Sequence, residues 1–291
     1  MIYKPIKVPQ GMRLKPYNRR SLLLGDITIV DSCTQVTGMT GSMFLKEHLL
    51  LFVLQGTYII RHGDQIYTLG KNQMVLLKKS IVVEYDKFGE PENDNFFEGM
   101  MFFLKDDFLK EFIKKIDIPA QRSDELLSIS VRNMNPQLLG FVQSLTPYFN
   151  DPDKIDAGLI KLKMLELLYG IASIDQKLLT QLLYLKQQVR SDISQVLEKN
   201  FMNPVSINDL AYLSGRSLST FKRDFQAIYN MPPSKWLQIR RLKKAKELLA
   251  NTEMSVTDVC YTTGFENLSH FSKIYKNYYE HSPSIQRNNL S

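Results

Sequence analysis

One decameric pattern occurs twice in this chain, and it restricts the carboxyl-terminal third more than any other feature. Residues 206–215 read SINDLAYLSG and residues 255–264 read SVTDVCYTTG. At an offset of 49, Ser206 matches Ser255, Asp209 matches Asp258, Ala211 matches Cys260, Tyr212 matches Tyr261 and Gly215 matches Gly264. The register then slips by one. At an offset of 50, Ser219 matches Ser269, Phe221 matches Phe271, Arg223 matches Lys273, Phe225 matches Tyr275 and Pro233 matches Pro283. One unit has been used twice, with a turn one residue longer in the second copy.

Each copy carries the signals of a helix, a sharp turn and a second helix. Ser206 with Asp209, and Ser255 with Asp258, have capping-box spacing and mark helix starts. Ala211 and Cys260 are small enough to let another helix cross closely. Gly215 and Gly264 follow the first helices, where a tight turn favours a residue tolerant of positive φ. Second helices are predicted over 217–229 and 267–280. Their apolar faces are Leu218, Phe221 and Phe225, and Leu268 or Phe271 with Ile274 and Tyr275. Ser219, Thr220, Lys222 and Arg223 lie opposite in the first copy, and Ser269, Ser272, Lys273 and Lys276 in the second. Short hydroxyl side chains beside Arg and Lys suit a helix that enters a major groove and reads base edges. Two helices with a glycine turn also occur in many all-α domains, so the duplication carries more weight than either copy.

Between the copies, Pro232 and Pro233 open a predicted helix that runs to about Asn251. Trp236, Ile239, Leu242, Ala245 and Leu249 make its apolar stripe, and Arg240, Arg241, Lys243, Lys244 and Lys246 supply charge. About 19 residues at ~1.5 Å each span ~28 Å, against about 34 Å between successive major-groove faces of B-DNA. Slight bending of the duplex would close that gap.

Charge is distributed to match. The chain of 291 residues has a net charge of +7; residues 186–291 hold 15 Lys and Arg against 9 Asp and Glu, while residues 1–185 hold 22 against 21. The basic excess therefore sits on the duplicated region, as expected of a nucleic-acid binder. The longest apolar run, Leu49 to Leu54, is far short of the ~20 residues a membrane helix needs. MIYKPIKVPQ at the start has no apolar segment of a secretion signal, so a cytoplasmic location is expected. Two cysteines, Cys33 and Cys260, supply no disulfide framework.

Residues 206–283 resemble the DNA-binding domain of the AraC/XylS family of bacterial transcription regulators. The residues that carry the resemblance include Leu210, Ala211, Gly215, Ser219, Phe221, Arg223 and Phe225. They continue through Pro233, Trp236, Leu237, Arg241, Leu242, Asp258, Gly264, Phe265, Phe271 and Pro283. The resemblance places base reading on Ser219, Lys222 and Arg223, then on Leu268, Ser269, Ser272 and Lys273. It implies promoter DNA and RNA polymerase as partners, and activation of transcription. Two departures stand out: Asn230-Met231 precede Pro232-Pro233, and Ile285-Gln286 precede Arg287. The second bears on how the extreme carboxyl terminus packs.

The amino-terminal part reads differently. Short segments at 21–30, 49–54, 57–62, 65–69, 74–77, 81–85 and 96–104 are rich in Ile, Val, Leu, Phe and Tyr, and glycine-containing turns separate them. From Asp106 the period becomes helical. Phe108, Leu109, Phe112, Ile113 and Ile116 share a face and Pro119 stops the run; helical patterns return at 135–149 and 156–170. The fold class is α+β. Within the resemblance this half is a cupin-like β-barrel with dimerisation helices, followed by an all-α domain of two helix-turn-helix units and a linker helix. It is also similar in length and order to the ExsA-type activators of type III secretion. The expected division is 1–170 regulatory and dimerising, 171–185 connector, and 186–291 DNA-binding.

Enzyme chemistry finds little support. His48 and His62 lack the clustered spacing of a cupin metal site, Gly70-Lys71 lacks the rest of a phosphate loop, and no cofactor or metal is expected. A homodimer is expected, controlled by a regulatory protein or a small-molecule effector. Other classes left open are a chromosome-architectural binder without an effector, and a cupin enzyme with a DNA-binding tail.

Overall fold

The computed structural model describes residues 5–9, 19–24, 27–116, 129–150, 155–174, 176–186 and 191–288. Pro119, and residues 25 and 26 within the expected strand segment 21–30, lie outside these residues. The chain divides into two compact units. Ile6–Gln187 forms one, and Gln188–Ser291 with the first five residues forms the other.

Eleven strands are described in the first unit. They are β1 (Ile6–Val8), β2 (Arg19–Leu24), β3 (Ile27–Gln35), β4 (Met39–Leu45), β5 (His48–Gln55), β6 (Thr57–His62), β7 (Gln65–Leu69), β8 (Gln73–Leu77), β9 (Val82–Phe88), β10 (Phe97–Leu104) and β11 (Val131–Asn133). They make two sheets, in the orders β1-β4-β9-β6-β7 and β11-β8-β5-β10-β3-β2. The expected barrel is corrected on this point: among the described residues the strands form two separate sheets and no closed barrel.

Both faces of the six-stranded sheet are covered, which explains the unbroken apolar run at 49–54. Successive side chains of a strand point to opposite faces. Leu49, Leu51 and Val53 of β5, with Met101 and Phe103 of β10, face Tyr58, Ile60 and Val83 of the other sheet. Leu50, Phe52, Met100, Phe102 and Leu104 face the helices. Those helices are α1 (Asp106–Lys115), α2 (Pro136–Asn150), α3 (Ala157–Ala172) and α4 (Gln176–Lys186). Helix α3 starts where Asp156 accepts hydrogen bonds from the backbone N–H groups of Gly158 and Leu159. Within the segment read as a connector, α4 buries Leu178, Leu179, Leu182 and Leu185 in this same core.

Strand β4 escaped the sequence reading because MTGSMFL is diluted by Gly41 and Ser42. The glycine leaves room for a neighbour: a Cβ there would lie 2.8 Å from the Tyr85 hydroxyl oxygen on the adjacent strand, and the ring would have to shift.

The second unit is all helical: α5 (Ile193–Asn200), α6 (Ile207–Leu213), α7 (Leu218–Tyr229), α8 (Pro233–Asn251), α9 (Val256–Thr262), α10 (Leu268–Tyr279) and α11 (Pro283–Asn288). The repeat is visible in the backbone. Gly215 and Gly264 have φ of 68° and 83°, and Asn230 and Glu280 end α7 and α10 at 51° and 67°. Ser206 and Asp209 form the full capping box. In the second copy the Ser255 hydroxyl oxygen accepts from the Asp258 N–H at 3.1 Å.

Helix α8 has 19 residues, as its sequence pattern predicts, but its buried stripe is Pro233, Leu237, Leu242, Ala245 and Leu249. Trp236 is half-buried, packing its ring on Tyr229 at 5.3 Å and edge-on to Phe225 at 6.0 Å. Beyond Pro283 the chain continues as α11, and Arg287 fastens it by donating to the Thr252 carbonyl and, at 2.9 Å, to Glu253. The departure at Ile285-Gln286 thus leaves α11 packed on α8, with Ile285 exposed.

Candidate nucleic-acid interface

Helices α7 and α10 bury one face and present the other. Phe221 and Phe225 are fully buried in the first copy, and Phe271 and Tyr275 in the second. Each aromatic pair packs at 5.6 Å between ring centroids. Burial of these large rings fixes the rotation of each helix about its axis. That rotation turns Lys222 and Gln226 of α7, and His270 and Lys276 of α10, outward.

Ser219, Lys222 and Arg223 are exposed on α7, and Thr220 is half-buried beside them. On α10, Ser269, Lys273 and Lys276 are exposed and Ser272 is half-buried. Helical periodicity and burial together put each set on one face. The hydroxyls near the start of α7 also serve the helix itself. Ser217 is the N-cap; its Oγ donates to Thr220 Oγ1 at 2.9 Å and lies 3.1 Å from Ser219 Oγ. Arg223 has 78% of its side chain exposed, with Asp224 Oδ1 at 3.4 Å from Nη2.

Two placements differ from the sequence reading. Leu218, assigned to the apolar face, is 38% exposed. Leu268, assigned to base reading, is half-buried against the core of the second copy, which leaves only part of its surface for a thymine methyl. The sequence reading also passed over Gln226 and His270, both exposed. The offset of 50 was the available signal: it pairs Gln226 with Lys276 and His270 with Thr220, whose partners had been chosen.

The cations of α8 divide by partner. Arg241 points inward. Its Nε donates to the Phe201 carbonyl at 2.7 Å and its Nη2 to that of Asn203 at 2.6 Å. Burial lowers its pKa to about 10. It also lies where a Cβ on Gly264 would come within 3.0 Å of its Cζ, so it joins the α5–α6 connection to the second turn. Arg240 pairs with Glu198 at 2.8 Å, Lys244 with Glu247 at 2.6 Å, and Lys246 lies 4.7 Å over the Tyr279 ring. Lys243 is exposed. Arg241 is accordingly a structural residue rather than a source of surface charge.

Two clefts open beside α7 and α10. One, of about 590 Å³, is lined by Arg241, Glu266 and His270 among others. The other, of about 520 Å³, is lined by Lys222, Gln226 and Ser234 among others.

In the first unit, neither histidine is set up as a metal ligand. His48 is buried, its Nδ1 accepts from the Lys79 N–H at 3.2 Å, and burial pushes its pKa down to about 3. His62 Nδ1 lies 3.0 Å from the Val82 carbonyl. Among the described residues no three His, Cys, Asp or Glu side chains are grouped to hold a metal ion, and no helix is long and apolar enough to cross a membrane.

Comparison with known proteins agrees with this layout. A helix-turn-helix domain family matches residues 210–289, and the ExsA N-terminal regulatory domain family matches residues 48–182. The HTH-type transcriptional regulator ExsA of Pseudomonas aeruginosa is 23% identical over 246 residues, covering 83% of this chain and 86% of that protein. The virulence regulon transcriptional activator VirF of Yersinia enterocolitica is 25% identical over 244 residues, covering 82% and 88%. The thermoregulatory protein LcrF of Yersinia pestis is 25% identical over 240 residues, with the same coverage. With both halves matched in the same order, the chain joins an AraC-type helix-turn-helix domain to an ExsA N-terminal regulatory domain.

Proposed function

We propose that this protein is a transcriptional activator that binds promoter DNA sequence-specifically, reading two successive major grooves with α7 and α10. The observation that carries the reading is the duplicated reading face: two helices, each locked by two buried rings, each presenting hydroxyl and basic side chains outward. The 19 residues of α8 span ~28 Å, close to one groove repeat of about 34 Å. The names of VirF, an activator, and ExsA, a transcriptional regulator, point the same way.

Candidate base-reading residues are Ser219, Thr220, Lys222 and Arg223, then Leu268, Ser269, Ser272, Lys273 and Lys276. Activation implies contact with RNA polymerase. The strand-rich half, read as cupin-like, receives the signal, and self-association runs through its helices. Leu162 and Tyr169 support that surface; seven residues apart on α3, they are 65% and 43% exposed. A strictly monomeric full chain in concentrated sedimentation runs would remove the dimer. The interior between the sheets is filled by Leu49, Leu51, Tyr58, Ile60 and Phe103, which favours a protein partner over a ligand held there.

Arg223→Ala is the direct test. Binding should weaken by about 1–3 kcal/mol at the one base pair Arg223 reads, and sequence preference should relax there. A uniform loss across all site variants would make Arg223 a phosphate contact and overturn its role.

A further inference from the structure

Arg216 lies in the turn of the first helix-turn-helix, outside the reading helix, and only 14% of its side chain is exposed. Its Nε donates to Asp224 Oδ2 at 3.1 Å. Its Nη1 donates to the Ser214 carbonyl at 2.6 Å and to the Ser191 carbonyl at 2.7 Å. The Ser191 N–H returns a bond to the Ser214 carbonyl at 3.2 Å. A guanidinium is a rigid planar fork, so acceptors on two sides fix its plane. Asp224 then offers its other oxygen, Oδ1, to Arg223 Nη2 at 3.4 Å. One carboxylate thus stands between a largely buried cation and an exposed one. The hydrogen bond from Arg216 is the first cause, and that from Arg223 a lesser one, holding Asp224 below the usual carboxylate range.

Among the described residues, the matching positions of the second copy carry apolar side chains instead. The Arg216 N–H donates to the Ala211 carbonyl at 3.0 Å, and the matching bond is from Phe265 to Cys260 at 3.1 Å. Phe265 therefore occupies the place of Arg216, and its ring packs on Phe271 at 5.0 Å. At the offset of 50, Asp224 becomes Ile274.

We propose that Arg216 is a positioning residue for base recognition by the first copy: through Asp224 it orients Arg223, and through Ser191 it ties that helix to the point where the chain enters the second unit. Preorganising a long side chain lowers the entropy lost when it binds. The 3.4 Å contact is long enough for Arg223 to exchange it for a base edge. The inference rests on the reading of Arg223 as a base contact, and the test separates the two.

Full-length protein is titrated with its duplex site and with single-base variants of that site. The wild type is compared with Arg216→Ala, Arg223→Ala, the double variant and Arg216→Lys, each checked by thermal melting. Arg216→Ala should weaken binding about three- to tenfold, the size of coupling expected for residues in one network. Discrimination should fall only at the base pair that Arg223→Ala identifies. In the Arg223→Ala background Arg216→Ala should add almost nothing, and Arg216→Lys, which keeps the charge but loses the fork, should restore part of the loss. Should Arg216→Ala fail to fold, Asp224→Asn tests the same link and should relax the same base pair. Multiplicative losses in the double variant, or equal losses in both half-sites, would overturn the proposal. If Arg223→Ala itself changes no base preference, the base-contact reading fails instead.

Discussion

The two helix-turn-helix copies share a backbone and differ in what fastens it. Copy one closes its turn with charge: Arg216 on Asp224 and on two carbonyls. Copy two closes it with apolar contact, Phe265 on Phe271 inside a cluster that includes Leu242, Ala245 and Tyr275. What was kept is what the chain geometry demands, namely the Ser206 and Ser255 caps and the positive φ at Gly215 and Gly264. The contacts that hold the turn shut were free to change. A duplicated motif can thus retain one shape while its copies acquire different sensitivities.

The largest expected effect is on the apolar copy. Phe265 is 9% exposed, and Phe265→Ala should cost about 3 kcal/mol, at the lower end for a buried aromatic. Denaturant unfolding of the full chain measures it. Arg216→Ala should cost visibly less stability while weakening DNA binding more selectively. Equal stability losses for the two variants would break the contrast between an apolar and a polar fastening. The smallest effect belongs to the helix that joins the copies. Lys243→Ala should lower the slope of log affinity against log salt by about 0.9 if that lysine meets a phosphate, without altering base preference. Lys244→Ala should do less, because Glu247 already engages that ammonium at 2.6 Å.

Much of the second unit was legible because a repeat is a strong constraint. Two aligned copies gave the caps, the turns and the limits of α7 and α10 to within a residue. Misreadings came where one side chain had two possible employments. Arg241 looks like surface charge in RRLKKAK, yet its fork ends on the Phe201 and Asn203 carbonyls. Leu237 looks interchangeable with Trp236 and Ile239 by period, and only the crossing of neighbouring helices decides which is buried.

In the first unit the strands at 49–54 and 96–104 are clear from short runs of Leu, Phe and Met bounded by turn residues. Whether the strands close into a barrel was not, because closure depends on which edges pair over long sequence distances. For α4, LLTQLLYLK gives its apolar positions but not the core they enter, supplied by α1 and α3 and by strands a hundred residues away.

The central claim is that both copies read DNA, one groove apart. Footprinting of the full-length protein on its promoter site by base-specific major-groove methylation protection tests it most directly. The account predicts two protected patches on one face of the duplex, about one helical turn apart, with Arg223→Ala erasing contacts in only one of them. A single protected patch, or protection spread evenly along any sequence as an architectural binder would give, contradicts it.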